Sequence, residues 1–355
     1  MTEYSIIEAD IESDRNDIIN ILKKAEWNSS YDRSNYDWKY LNCPSGKARC
    51  WLAIENSSNS IFGISSSFPR SIFIDKKPVD TITIGDFFIE KKYRGFGPGI
   101  HMQKKILSEF KNNNKKHLIY GIPNSKSFRI CQKLQYTNIG FIKQYVKPLN
   151  ISKILENRSF DSKFLKVKFF QKLLGALIKS LSKEIYYKKR SNYKIEILDF
   201  FDERFDIFWR KTINGYSNIS DKSSKMLNWR YKENPDRNFK VFCMSDKNND
   251  LSGYIVFIEV NNNYQIFDIN FLKNKKILKN LLSEFSLYAR ENNIGAVILY
   301  FCGDKNFLKK FRSFIFYPVK SNDNTFVINP LFFNPGEINI MQNKNNWHIT
   351  LGDKF

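Results

Sequence analysis

Cysteine is scarce and unpaired in this chain: five in 355 residues, at Cys43, Cys50, Cys131, Cys243 and Cys302, with no Cys-x-x-Cys spacing. That pattern excludes a zinc ribbon or a disulfide framework and suggests reduced thiols in a cytoplasmic protein without a metal site. Long apolar runs are missing too, with no uncharged stretch near the ~20 residues of a membrane span. The opening stretch, MTEYSIIEADIESDRND, is acidic where a secretory leader needs an apolar core. Acid is the scarcer charge overall: 36 Asp and Glu against 57 Lys and Arg give a formal net charge of +21. Such a surface favours anionic partners, from nucleic acid and acidic membrane to nucleotide cofactors. The joint abundance of Lys, Asn and Ile reads equally well as a compositional bias. What is present can build cores: 42% of residues are hydrophobic and 16% aromatic, enough for two domains at roughly 150 residues each.

The chain repeats itself. DWKYLNCP (Asp37 to Pro44) matches NWRYKENP (Asn228 to Pro235), 191 positions on. Gly63 in IFGISSSF answers Gly253 in LSGYIVFI; Asp86 in GDFFIE answers Asp268 in FDINFL; KILSEF answers NLLSEF; HLIYGIPN answers AVILYFCG. Each match is short, but all five keep the same order, and the offset shrinks from 191 to 175 over the first four, as in two divergent copies of one domain.

Each copy opens with an alternating strand, YSIIEAD or YKIEILDF, followed by a helical pattern, SDRNDIINILKKAEW (capped by Ser13 or Asp14) or DERFDIFWRKTI. In the first copy, strands follow near 50–56, 61–68, 71–74 and 80–90. A helix at 98–112, a strand at 117–122, a helix at 125–134 and a strand at 139–147 complete it. The expected fold is α/β (α+β): two tandem domains, 1–147 and 194–355, each a mixed sheet flanked by helices. Residues 148–193 form the helical connector between them. There Phe170, Leu173, Leu174, Leu177, Leu181 and Ile185 make one stripe among lysines. It packs across the domains or makes a peripheral contact with anionic membrane.

FFIEKKYRGFGPG, at residues 87–99, is a strand, a glycine turn and a helix start. Amides at a helix N-terminus point outward, and the dipole there favours negative charge. Glycine admits close approach and positive φ, Pro98 suits the first helical turn, and Arg94 can add a charge-assisted bond to phosphate.

This segment resembles the acyl-CoA-binding signature of the GNAT superfamily of N-acetyltransferases, Arg/Gln-x-x-Gly-x-Gly/Ala, as Arg94-x-x-Gly97-x-Gly99 preceded by Tyr93. The resemblance implies that acetyl-CoA, or another acyl-CoA, is the cofactor. Backbone of Phe88, Ile89 and Glu90 would pair with the pantetheine arm. Arg94, Gly95, Phe96, Gly97, Pro98 and Gly99 would hold the pyrophosphate. NSKSFRICQKLQY resembles the second signature, with Asn124, Ser127, Ile130, Leu134 and Tyr136 in register. There are three departures. Cys131 stands where many members have the tyrosine that protonates the leaving thiolate, Gln135 replaces a glycine, and Pro98 replaces an aliphatic residue. In the second copy, FLKNKKILKN replaces the glycine turn, so that copy is expected to bind no CoA.

For N-acylation a base must take the amine's proton. Asp86, a carboxylate inside an apolar strand, is the first candidate; its structural alternative is to anchor a neighbouring loop. Tyr120 and Cys131 are the proton donors available for the thiolate. His101 reads as a surface residue or as one near the phosphates, and His117 as structural. Trp38, Tyr40, Trp229 and Tyr231 read as core anchors rather than a sugar-stacking platform. The function expected is N-acylation of a primary amine, a small molecule such as a nucleotide-linked amino sugar of surface-polysaccharide synthesis, by direct transfer in a ternary complex. The rivals are a Fem-type aminoacyltransferase using aminoacyl-tRNA and a non-catalytic binder of nucleic acid or anionic membrane. The glycine turn speaks against the first, while the missing tyrosine and the basic connecting helix support the second.

Overall fold

The computed structural model describes residues 3–25, 31–95, 97–150, 153, 184 and 192–354, without the side chains of 320–323. The apolar stripe expected at 170–185, and Phe96 of the glycine turn, lie outside the described residues. The chain divides into two compact units.

Unit 1 holds residues 1–140, 233–236 and 324–343. Its sheet runs β1 (Tyr4–Ala9), β2 (Arg49–Glu55), β3 (Ile61–Ile74), β4 (Lys77–Ile89) and β5 (His117–Gly121). Neighbours are antiparallel except β4 and β5, which are parallel and therefore need a crossover. Helices are α1 (Arg15–Lys23), α2 (Arg33–Tyr36), α3 (Pro98–Asn112), which makes that crossover, and α4 (Ser125–Lys133). Alternation along β2 builds a core on each face. Cys50 and Leu52 join the Ile18, Ile21 and Leu22 face of α1, while Trp51 and Ala53 join Met102, Ile106 and Phe110 of α3.

Two local expectations change. The strands expected at 61–68 and 71–74 are one, because β2 pairs with β3 only as far as Ser67. Pro69 lies just past that point, opposite Ile82 of β4. The first helix starts at Arg15, but Asp14 does not cap it; its carboxylate accepts instead from the Asp10 N–H at 2.9 Å.

Unit 2 holds residues 141–232, 237–323 and 344–355. The later part of β6 (Thr137–Pro148) leads its sheet, followed by β12 (Ala296–Gly303), β11 (Asn263–Phe271), β10 (Leu251–Val260), β9 (Lys240–Ser245) and β7 (Lys194–Leu198). The short β8 (Asn218–Ser220) is parallel to β14 (Trp347–Thr350), which itself pairs with β12. Helices α5 (Glu203–Thr212), α6 (Ser224–Leu227), α7 (Lys275–Glu291) and α8 (Lys305–Ser313) cover it. Again the strands alternate between two cores, Phe242 and Met244 on one side, Val241 and Cys243 on the other.

The units do not follow contiguous halves of the sequence. Beyond Gly140, β6 pairs with β12 of unit 2 from Lys143 to Pro148. Conversely Val327–Leu331 of β13 (Tyr317–Leu331) pairs with β5 of unit 1, and α9 (Pro335–Gln342) follows it there.

The repeated segments take the same form. DWKYL and NWRYK each extend a one-turn α-helix as a π-helical turn. Trp38, Tyr40, Trp229 and Tyr231 are all buried, so they anchor cores. Tyr40 donates to the Asp86 carboxylate at 3.0 Å, and Tyr231 to that of Asp268 at 3.1 Å. Lys39 pairs with Asp86 at 2.5 Å and Lys222 with Asp268 at 2.6 Å. Both glycines of the repeat are strand residues at close approaches. A Cβ on Gly63 would meet Ile89 at 2.5 Å, and one on Gly253 would meet Leu281 at 3.0 Å. α4 and α8 also end alike, each with a residue in the left-handed region, Gln135 (φ 59°) and Ile315 (φ 64°). The bonds Tyr136 N–H to Cys131 O and Gln135 N–H to Gln132 O close a Schellman motif; those of Phe316 and Ile315 to Phe311 and Arg312 repeat it.

Candidate functional site

Strand β4 outruns its parallel partner. Among the described residues it pairs with β5 at Thr81–Thr83 and continues to Ile89 bonded to β3 alone. The register slips between Ile64 and Ser66 of β3, where β4 holds the extra residue. Asp86 lies in that bulge with φ 47°. Bulges bend a strand and re-aim its groups. The consequence is an edge of β4 that can accept an extended chain, main chain to main chain.

From that edge the chain enters a short 3₁₀ turn, Lys91–Tyr93, then the glycines, then α3. Gly95 (φ 102°) and Gly97 (φ 94°) both occupy the left-handed region. Space is not the issue at either. A Cβ on Gly95 meets nothing within 4 Å, and one on Gly97 would touch the His101 ring at 3.5 Å, an ordinary contact. Gly99 is needed for a different reason: its Cβ would press Phe87 at 3.0 Å, so the bare residue seats α3 against β4. Gly97 is the N-cap and Pro98 the first helical residue, which leaves first-turn amides at the head of the cleft.

A cleft of about 1020 Å³ opens here. Ten predicted cofactor residues line it: Phe88, Ile89, Glu90, Arg94, Gly95, Gly97, Pro98, Gly99, Asn124 and Ser127. Residues not anticipated join them, notably Phe87 and the cations Lys24, Lys91, Lys92, Lys126 and Lys133. The signal for two of these was in the spacing: Lys126, Ile130 and Lys133 recur at one helical face of α4. With Arg94 the lining carries six cations against one acid, Glu90, which already pairs with Lys24 at 2.7 Å. The field in this cleft is strongly positive.

Two predicted contacts are partly committed within the protein. Arg94 folds back along the strand, its Nε donating to the Ile89 carbonyl at 2.7 Å and its guanidinium lying 5.7 Å from the Phe88 ring centre. Asn124 caps α4, its side-chain oxygen accepting from the Lys126 and Ser127 amides at 3.1 and 2.9 Å.

The three residues considered for catalysis are not brought together, and none of them lines the cleft. Asp86 is buried with both oxygens engaged, one by Lys39 and one by Tyr40, whose hydroxyl also meets Ser66 at 2.7 Å. Tyr120 is buried on β5. Cys131 lies on α4, half-buried, and burial pushes its thiol up to about 11, so it stays protonated at neutral pH. His101 stacks on Tyr4 and bonds its hydroxyl through Nδ1. His117 packs edge-on against Phe110, and burial lowers its pKa.

No protein-family model matches the chain, and no curated protein matches it by sequence. Solved structures do. A conserved protein of unknown function from Enterococcus faecalis, described as a probable N-acyltransferase, superposes with a TM-score of 0.68 at 11% identity. That match covers 93% of this chain and 72% of the other. A GCN5-related N-acetyltransferase from Anabaena variabilis gives 0.60 at 13% identity, over 92% of this chain and 72% of that one. N-myristoyltransferase of Saccharomyces cerevisiae, with bound myristoyl-CoA, gives 0.55 at 11% identity, over 95% and 86%. The chain thus shares its fold with these structures.

Proposed function

We propose that this chain is a tandem GNAT-type N-acyltransferase that binds acetyl-CoA, or another acyl-CoA, in the unit 1 cleft and transfers the acyl group to a primary amine. One observation carries the reading: the end of β4, bonded on one edge to β3, leads through a short 3₁₀ turn to left-handed Gly95 and Gly97 at the head of α3, along a cleft with six cations. The edge suits the two amides of a pantetheine arm, and the turn suits a pyrophosphate. The fold shared with N-acyltransferases supports the same assignment.

In the transfer, the free amine attacks the thioester carbonyl, a C–N bond forms, the C–S bond breaks, and CoA leaves as a thiolate that takes up a proton. This chain's residues supply position first. Asp86 enters as the residue that fixes the bulge through Lys39 and Tyr40, since the same carboxylate–tyrosine–lysine arrangement recurs in unit 2. The acceptor amine would then surrender its proton to solvent or to a group brought by the acceptor itself. A nucleotide-linked amino sugar heads the acceptor screen by fold analogy, followed by peptide amino termini, given the likeness to N-myristoyltransferase.

Calorimetry with acetyl-CoA tests the cofactor, and thiol release with an amine panel tests transfer. We expect saturable binding that Gly97→Val abolishes, because a β-branched residue does not tolerate φ 94°. Native protein that binds no acyl-CoA would overturn the proposal. Steeply salt-dependent tRNA binding in its place would favour the aminoacyl-tRNA rival.

A further inference from the structure

Unit 2 contains the same parted strands, but filled. β11 and β12 pair in parallel over Asn263–Ile266 and Ala296–Leu299, then separate, as β4 and β5 do beyond Thr83 and Tyr120. Beyond that point β12 pairs antiparallel with β14, from Phe301–Thr350 to Gly303–His348. Phe301 also pairs with Lys143 of β6. A strand residue has two edges, so β14 occupies the edge of β12 that faces β11.

The side chain of His348 completes the filling. Buried between the rings of Tyr216, Phe301 and Phe307, it sends Nε2 to the Ile269 carbonyl of β11 at 2.9 Å. Gly63 lies opposite Ile89, and Gly253 opposite Phe271. Counting back from those pairs makes Ile269 the counterpart of Phe87, at the wall of the unit 1 cleft. The turn that follows, Leu351–Lys354, seats on the β11 bulge. A Cβ on Gly352 would meet the Tyr231 hydroxyl at 2.0 Å and the Phe267 carbonyl at 3.0 Å. Asp353 is buried there, accepting from the Thr350 amide at 2.8 Å and bonding Ser220, with Lys222 and Arg230 each 3.5 Å away. At the place of the glycine turn, Asn274 caps α7 through the Lys276 amide at 2.8 Å, and Lys273 packs its ammonium 3.9 Å from the Tyr216 ring centre.

We infer that residues 347–353 are the resident occupant of the second unit's cofactor slot, so the chain carries one acyl-CoA site rather than two. The count of one rests on the reading of unit 1 above, whereas the occupancy of the second slot does not. Two features close it independently: a strand and a histidine in place of a pantetheine arm, and a capped, glycine-free helix start in place of a pyrophosphate turn.

Hydrogen exchange on the full chain, read by mass spectrometry with and without saturating acetyl-CoA, tests this. In the ligand-free protein, peptides covering 347–353 should exchange as slowly as those of the β10–β11 core. Rapid exchange there overturns the inference, whether or not unit 1 binds anything. With acetyl-CoA, slowing should appear at 85–100 and be absent at 263–276 and 347–353, with one cofactor bound per chain by equilibrium dialysis. Two bound per chain, or ligand-induced slowing at 263–276, would overturn it. Absence of any binding would instead sink the unit 1 reading and leave the ligand-free exchange to decide occupancy. Gly303→Ala gives a second handle, since its Cβ would lie 1.9 Å from the Trp347 carbonyl. It should speed exchange at 347–350 and leave acyl-CoA affinity unchanged; slow exchange retained there contradicts the placement of β14.

Discussion

Replacing Gly97 by alanine isolates the backbone contribution of the glycine turn. The new methyl would sit 3.5–3.9 Å from the His101 ring, so it meets no clash. Its cost is conformational: at φ 94° a residue with a Cβ is disfavoured by ~1–2 kcal/mol. Two outcomes are open to the turn. If it holds its shape, the whole cost appears as lower stability and the affinity for acetyl-CoA is kept. If it relaxes, stability is kept and binding must restore the strained form, which weakens affinity about 5- to 30-fold for ~1–2 kcal/mol. The sum of the two losses is therefore fixed at ~1–2 kcal/mol, however it divides. Urea titration and calorimetry on the same preparation measure both. Gly95→Ala, at φ 102° with open space around it, should show the same total. Gly99→Ala differs, since its φ is ordinary and only the tip of the Phe87 ring must shift. If Gly97→Ala matches the native protein in both assays to within ~0.3 kcal/mol, the strain argument fails.

Gln135→Gly should stabilise the chain by ~1 kcal/mol in urea melts, because the exposed Gln135 holds φ 59° at the end of α4 where glycine is at ease; an unchanged midpoint would refute this. Lys39→Met should cost ~3–5 kcal/mol by leaving the Asp86 carboxylate buried without its cation, and adding Asp86→Asn should return a large part of that loss. Lys126→Ala with Lys133→Ala should weaken acyl-CoA binding about 2- to 30-fold at low salt, from ~0.2–1 kcal/mol per exposed charge, and the difference should shrink as salt rises. His348 gives a pH prediction. Burial, with Lys273 and Lys222 nearby, holds its folded pKa well below the 6.5 of an exposed histidine. Below pH 6.5 the unfolded chain therefore binds a proton that the folded chain refuses. Stability from this group is intact above pH 6.5 and falls on acidification, by up to ~1.36 kcal/mol per pH unit. Denaturant midpoints at pH 7, 6 and 5 should decline less steeply in His348→Gln than in the native protein.

The elements of unit 1 were legible because their signals are local. Apolar spacing in 98–112 and 125–134 depends on neighbours three and four residues away, and strand alternation on neighbours two away. The Gly-x-Gly turn was legible for the same reason, since φ is a property of one residue. Where expectation and structure part, the cause is distant. The strands expected at 61–68 and 71–74 join into β3, which pairs with β4 from Gly63 to Ile74. Asp86 reads from sequence as a base or a structural anchor; its partners Lys39 and Tyr40, nearly fifty residues earlier, which engage both its oxygens, leave no local signal. The cations of the cleft come from α1's end, the 91–94 turn and α4, three segments with no common motif.

Taken alone, the sequence determined that one motif occurs twice, that strands and helices follow in a set order, and that a single helix start carries left-handed glycines. Each of these rests on short-range geometry. Only the tertiary structure decided which edges are free. Among the described residues β4 keeps an open edge past Thr83, while the matching edge in unit 2 is taken by β14. Strand pairing joins residues by backbone bonds that leave no side-chain signature, and so the difference between an open slot and a filled one appears only once the chain has folded.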